Sequence, residues 1–144
     1  MKAARTFVLL ANEHEARFLV NEGPGKGLLQ VGGLTQTHET QYSDMPGRSQ
    51  AGPGAARHGL DRSATEREQN RTKFSVEVAE AAEAQWAKGD YDRVVMAAPP
   101  KMLGALREDI GGAMKAAMAG DMDKDLLKVA LHDLPPHLED MIVF

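Results

Sequence analysis

Two short runs of consecutive apolar residues constrain the fold of this chain most strongly. Phe7-Val8-Leu9-Leu10-Ala11 and Val94-Val95-Met96-Ala97-Ala98 contain no polar residue, so neither run leaves one face for water. Strands that are apolar on both faces occur in sheets that are covered on two sides. We therefore predict neighbouring, parallel strands at 6–11 and 93–98, in the centre of a sheet with a layer on either side.

The residues after the first run predict two more strands. Asn12-Glu13 can form a tight turn, apolar residues alternate through 16–20, and a cluster of Gly and Pro at 21–27 precedes a third run at 28–37. Short turns between successive strands are typical of an antiparallel meander. A meander of three strands is therefore expected at the start of the chain.

The remaining elements alternate between helix and strand. Ser63-Ala64-Thr65-Glu66 is a capping-box pattern that predicts the start of a long helix, which ends at Gly89 and buries Phe74 and Val78. Pro99-Pro100 predicts the start of another helix. Residues 119–131 are ambiguous between strand and helix, and a last short helix follows Pro135-Pro136. The order βββ-α-β-α-(β)-α predicts one α/β domain with a mixed sheet over residues 1–144.

Composition excludes several classes of protein. The 144 residues include no cysteine, which excludes disulfides, thiolate nucleophiles and cysteine-ligated zinc. The apolar run at 7–11 is too short for a signal-peptide core or a membrane span. We expect a cytoplasmic protein without membrane contact. The net charge of -4 argues against a broad surface for nucleic acid, so any such contact must be local.

One local segment is basic. Residues 43–62, the basic segment, are rich in Gly and Pro and include Arg48, Arg57 and Arg62. We predict a flexible loop that binds an anion, with RNA as the first candidate and with Ser49, Gln50 and His58 beside the arginines. The alternative is a solvent loop without a task, because long loops are either functional or disordered.

Signals for other chemistry are weaker. The five histidines never have the His-x-x-x-His spacing that places two imidazoles on one helix face, so neither a metal nor a cofactor is predicted. A nuclease of the ribonuclease H type needs a carboxylate in the middle of its first strand, and residues 7–11 contain none. The junction Pro99-Pro100-Lys101 lies where a strand ends and a helix begins. It is either an anion site, assisted by Arg107, or a plain strand-to-helix turn.

Together, the motifs of this chain resemble the bacterial host attachment protein family. The matching pieces follow one another along nearly the whole chain: Leu10-Ala11-Asn12, Ala16-Arg17-Phe18, Pro46-Gly47-Arg48-Ser49, Arg57-His58, Phe74, Tyr91-Asp92-Arg93-Val94-Val95, Ala98-Pro99-Pro100 with Leu103-Gly104 and Leu106-Arg107, Lys124-Asp125-Leu126, and Leu134-Pro135-Pro136. The resemblance marks polar, glycine and proline positions as family motif residues: Asn12, Arg17, Pro99, Pro100, Lys101, Gly104, Arg107, Lys124 and Asp125.

The resemblance implies a ribonuclease H-like fold, since this family is related to the middle domain of archaeal and eukaryotic peptide-chain release factors. Those factors place a Gly-Gly-Gln tripeptide before their long helix, where it promotes hydrolysis of peptidyl-tRNA. The basic segment holds the equivalent place but lacks Gly-Gly-Gln. The leading expectation is a non-catalytic protein that binds the ribosome or structured RNA. The alternatives are a protein-interaction or regulatory module and a hydrolase of peptidyl-tRNA or RNA.

Overall fold

The structure is a computed structural model that describes the backbone at residues 3–36 and 53–141 and the side chains at 3–36 and 65–141. Five strands in this part of the chain form one mixed sheet in the order β3-β2-β1-β4-β5. Their bounds are β1 Thr6–Ala11, β2 Glu15–Asn21, β3 Leu29–Thr35, β4 Arg93–Ala97 and β5 Met118–Met122. The helices are α1 Pro53–Gly89, α2 Pro100–Asp109, α3 Gly112–Ala116 and α4 Leu134–Leu138, the last preceded by a 3-10 turn at Leu131–Asp133.

The two apolar runs lie side by side in the centre of the sheet, as predicted. β1 pairs with β4 in parallel, with Phe7 opposite Val94 and Leu9 opposite Met96. β2 pairs antiparallel with both β1 and β3, which confirms the three-stranded meander. The ambiguous region begins with β5, which pairs in parallel with β4 at the edge of the sheet.

One face of the sheet is covered by α1 and α2. Phe7, Leu9 and Phe18 on this face pack with Phe74 and Val78 of α1, which are fully buried as predicted. Trp86 is partly buried and its ring meets that of Phe7 at a centroid distance of 6.3 Å. The aromatic residues of the described part of the chain are thus concentrated in one cluster, where each ring buries a large apolar area.

The other face is covered by the C-terminal segment, residues 123–141. Side chains that alternate with those of the first face, such as Val8 and Leu10, point to this side. Four leucines of the segment pack against them: Leu126, Leu127, Leu134 and Leu138. The sheet is therefore the middle of three layers, because both faces of its central strands are buried.

The start of α1 differs from the prediction. The helix begins at Pro53, ten residues before the capping-box serine, so Ser63 lies within it. Proline is favourable at a first helical position, and the strong helix formers Ala55 and Ala56 follow after Gly54. The Ser-x-x-Glu pattern can also occur within a helix. The second half of the basic segment, 53–62, is therefore helical and not a loop. The end at Gly89 is as predicted, and the ring of Tyr91 occupies the space that a Cβ there would need.

Candidate binding cleft at the carboxyl end of the sheet

A cleft of about 460 Å³ lies at the carboxyl end of β1 and β4. The β1–β2 turn forms one wall with Asn12, Glu13 and His14, and the start of α2 forms the other with residues 99–102. Asp125 of the C-terminal segment completes the lining. Open α/β sheets bind ligands in crevices at the carboxyl ends of their strands. The junction Pro99-Pro100-Lys101, which the sequence analysis gave as a candidate anion site, lies in this cleft.

Asn12 shapes the turn and links it to the C-terminal segment. Its Oδ1 accepts hydrogen bonds from the backbone N–H groups of His14, at 2.8 Å, and Glu15, at 2.9 Å. Its Nδ2 donates to Oδ2 of Asp125 at 3.0 Å, while Oδ1 of Asp125 accepts from the N–H of Leu127 at 3.1 Å. One amide therefore fixes a tight turn and positions a carboxylate of the cleft, since Asn can bond its own backbone two residues on.

Glu13 connects the same turn to α1. Its carboxylate accepts a hydrogen bond from Nη1 of Arg71 at 2.9 Å, and its backbone carbonyl accepts one from Nε2 of Gln36. At the other end of α1, Trp86 contacts Phe7 near the start of β1. Helix α1 thus runs opposite to β1, and its N-terminal half lies at the carboxyl end of the sheet, the same end as the cleft.

Arg17 lies outside the cleft and holds the second layer on the sheet. Its Nη1 donates to the backbone carbonyls of Leu127, at 3.1 Å, and Val129, at 3.0 Å, and its Nε donates to Gln30 at 3.3 Å. The residue predicted by family resemblance therefore makes structural contacts in this chain. The sequence does not identify these partners, because every residue has a backbone carbonyl and the residue type does not show which one accepts.

Of the remaining family motif residues, some line the cleft and others lie outside it. Pro99, Pro100 and Lys101 line the cleft, and the side chain of Lys101 is exposed. Gly104 lies further along α2, where a Cβ would meet open space, so close packing does not explain its glycine. Lys124 is exposed between β5 and Asp125.

Arg107 does not line the cleft, contrary to its expected assistance to an anion site there. Its Nε and Nη2 donate to the two carboxylate oxygens of Asp121 at 2.8 and 2.7 Å. These hydrogen bonds hold the pKa of Asp121 below its ordinary value against the opposing effect of burial. The pair raises the pKa of the guanidinium in turn. Arg107 therefore fastens α2 to the edge strand β5.

The predicted residues of the basic segment lie only partly in the described chain. Arg48, Ser49 and Gln50 fall outside the described residues. Arg57, His58 and Arg62 belong to the N-terminal part of α1, where the structure gives the backbone alone.

The described part of the chain forms neither a cluster of metal ligands nor a helix able to cross a membrane. Among residues 3–36 and 65–141, no three His, Asp or Glu side chains lie close enough to hold a metal ion. None of the described helices combines the length and the apolar character that crossing a membrane requires.

Comparison with known families identifies the chain's relatives. The family model described as "Protein required for attachment to host cells" matches residues 7–138. The chain belongs to this family. The match includes the β1–β2 turn, α2 and most of the C-terminal segment, which confirms the resemblance seen in the sequence. No curated protein sequence matches the chain.

The likeness to one solved structure confirms the fold. An archaeal translation termination factor, aRF1, superposes with a TM-score of 0.56 and 14% identity over 95% of this chain and 34% of its own. Two structures of the Aquifex aeolicus Ppx/GppA enzyme give TM-scores of 0.45 and 0.43, with 12% and 9% identity, over 83% of this chain and 35% of theirs. This chain thus spans about a third of each of them. The strand order and the likeness to aRF1 establish a ribonuclease H-like α/β fold.

Proposed function

We propose that this protein binds structured RNA, ribosomal RNA included, through the basic segment and the N-terminal half of α1. The observation that supports this most directly is the likeness of nearly the whole chain to part of a translation termination factor. Termination factors act on the ribosome, which is built largely from structured RNA. The basic segment supplies Arg48, Arg57 and Arg62 against two acids, Asp44 and Asp61.

The length of α1 supports the same proposal. At 1.5 Å per residue, 37 residues make a helix of about 55 Å, whereas a six-residue strand spans about 20 Å. No side chain between Thr65 and Lys73 is buried, and burial begins at Phe74. Because Arg71 pairs with Glu13 at the end of the sheet, the helical residues before it extend past that end. These helical residues, 53–70, carry three arginines and three acids, so contact with RNA depends on individual arginines such as Arg57 and Arg62. Phosphate contacts of this kind give most of the affinity for RNA.

The experiment measures the affinity of the full chain for a fluorescently labelled RNA hairpin and for purified ribosomes at several salt concentrations. The test variant combines Arg48→Ala, Arg57→Ala and Arg62→Ala. The matched control combines Lys88→Ala, Lys115→Ala and Lys128→Ala, which also removes three positive charges, all from exposed positions outside the basic segment. We expect the test variant to bind more weakly and to lose about 2 to 3 from the slope of log K against log salt.

Equal affinity and equal slope in the test and control variants would overturn the proposal. That outcome would favour the protein-interaction function, for which the edge strand β3 offers a surface. β3 contains no charged residue, and its Leu29 and Val31 side chains are 58% and 37% exposed. Uncharged, exposed edge strands are open to pairing with another chain.

The missing Gly-Gly-Gln gives a second test, directed at catalysis. Since the tripeptide is absent from the sequence, we expect no release of peptide from ribosomes that hold peptidyl-tRNA. A termination factor with the tripeptide serves as the positive control. Robust release by this protein would favour the hydrolase function instead.

A further inference from the structure

The cleft at the carboxyl end of the sheet has the volume of a small-ligand site and a mixed lining, in which five of the eight residues are polar or charged. Its volume of about 460 Å³ lies in the range of 300 to 1,000 Å³ that is typical of such sites. The apolar part of its surface is formed by the rings of Pro99 and Pro100, since the side chain of Met102 is fully buried. His14 and Lys101, both exposed, supply polar groups at its rim. A flat apolar wall beside a cation suits a ligand that has a ring system and an anionic group.

The charges of the cleft favour the anionic part of such a ligand at Lys101. Glu13 is paired with Arg71, and both carboxylate oxygens of Asp125 accept hydrogen bonds, from Asn12 and from Leu127. Within the described part of the chain, Lys101 has neither an ion pair nor a hydrogen bond through its side chain. Its ammonium group is therefore available to an incoming anion. Asp125 keeps its negative charge, because the amide of Asn12 and the N–H of Leu127 that donate to it are neutral.

The position of the cleft relates it to the RNA surface proposed above. The pairing of Arg71 with Glu13 places the N-terminal half of α1 at the same end of the sheet as the cleft. RNA held along this part of α1 would thus have the cleft within reach of an unpaired end. Bases that are not stacked in a helix are the ones that proteins commonly bind in pockets.

We propose that the cleft binds one unpaired nucleotide of the RNA that α1 and the basic segment hold. The base lies against Pro99 and Pro100, and the phosphate lies at Lys101. This inference rests on the proposed function, because the hairpin bound by α1 brings the nucleotide to the cleft. It assigns a second, separate contact, which gives the protein a preference for a helix with a single-stranded tail over a blunt helix.

The experiment compares two labelled hairpins that differ only in a short single-stranded uridine tail. The wild type should bind the tailed hairpin about three- to tenfold more tightly than the blunt one, a modest gain beside stacking on aromatic side chains. Lys101→Ala should abolish this advantage and leave the affinity for the blunt hairpin nearly unchanged. The matched control is Lys115→Ala, on α3, which precedes the start of β5 and therefore lies at the opposite end of the sheet. It should keep the full advantage.

Backbone amide NMR gives an independent measurement. Adding the tailed hairpin should shift the signals of His14, Lys101 and Met102 more than adding the blunt hairpin does. Equal affinity of the wild type for both hairpins, or an unchanged tail advantage in Lys101→Ala, would overturn the inference while the blunt hairpin still reports the proposed function. Failure of both hairpins to bind would overturn both proposals.

Discussion

The two faces of the sheet are covered in different ways. On one face, the regular helices α1 and α2 bring Phe74, Val78 and Met102 against the strands, and their backbone hydrogen bonds lie within the helices themselves. On the other face, the irregular C-terminal segment brings four leucines but includes only short helical turns. Its partly buried carbonyls need partners from elsewhere, and Arg17 donates hydrogen bonds to two of them.

The difference shows how an irregular layer is stabilised. A helix satisfies its own backbone groups, so burial of its apolar face is sufficient to hold it on the sheet. A segment without regular structure leaves N–H and C=O groups that must be paired, because unpaired buried groups are costly. Hydrogen bonds from polar residues such as Asn12 and Arg17 therefore stabilise the layer on the second face, whereas the layer on the first face is held by apolar packing.

The largest expected effect tests the helical face. Phe74→Ala should lower the free energy of unfolding by about 3 to 5 kcal/mol, because it leaves a cavity under a fully buried ring. The control is Val76→Ala on the same helix, where the side chain is 40% exposed and a change within about 0.5 kcal/mol is expected. Urea unfolding monitored by circular dichroism measures both. Similar losses in the two variants would mean that α1 does not bury the Phe74 face.

A smaller effect tests the irregular face. Arg17→Met should lower the free energy of unfolding by about 1 to 3 kcal/mol, since two backbone carbonyls lose a charged donor. Hydrogen exchange should accelerate in residues 123–141 and stay unchanged in the buried half of α1. Lys128→Met, which removes an exposed cation from the same segment, serves as the control. Uniform acceleration throughout the chain would contradict the assigned role of Arg17.

The smallest effect concerns the edge of the sheet, where Arg107 holds Asp121. Asp121→Asn should lower the Tm by about 4 °C or less, because partly exposed ion pairs contribute little. Since the pair depresses the pKa of Asp121, its stabilisation is present above about pH 4, the ordinary range for aspartate, and is lost as the pH falls through the lower folded value. Thermal unfolding from pH 7 to pH 2 should show the two proteins converging in acid. Asp123→Asn, at a neighbouring exposed position, is the control, and a difference that persists at the lowest pH would contradict this account.

The sequence by itself determined the centre of the fold. Apolar runs at 7–11 and 94–98 can lie only between two layers, and helical spacing places Phe74 and Val78 on one face, so these local patterns were sufficient. Pro99-Pro100 likewise marked the start of α2. These features depend only on residues close together in the sequence and on the tendency of apolar side chains to be buried, so a local pattern is enough to predict them.

Only the tertiary structure decided which polar residues meet. Arg17 and the carbonyl of Leu127 are 110 residues apart, and Asn12 and Asp125 are 113 residues apart. The strand character of 118–122, with its weak β-formers Gly120 and Asp121, depends on pairing with β4 at the edge of the sheet. Arg107 pairs with Asp121 and does not line the cleft. The pairing of β5 with β4 is what brings Asp121 within reach of α2. Each of these outcomes follows from contacts between distant segments, which create partners that no local pattern specifies.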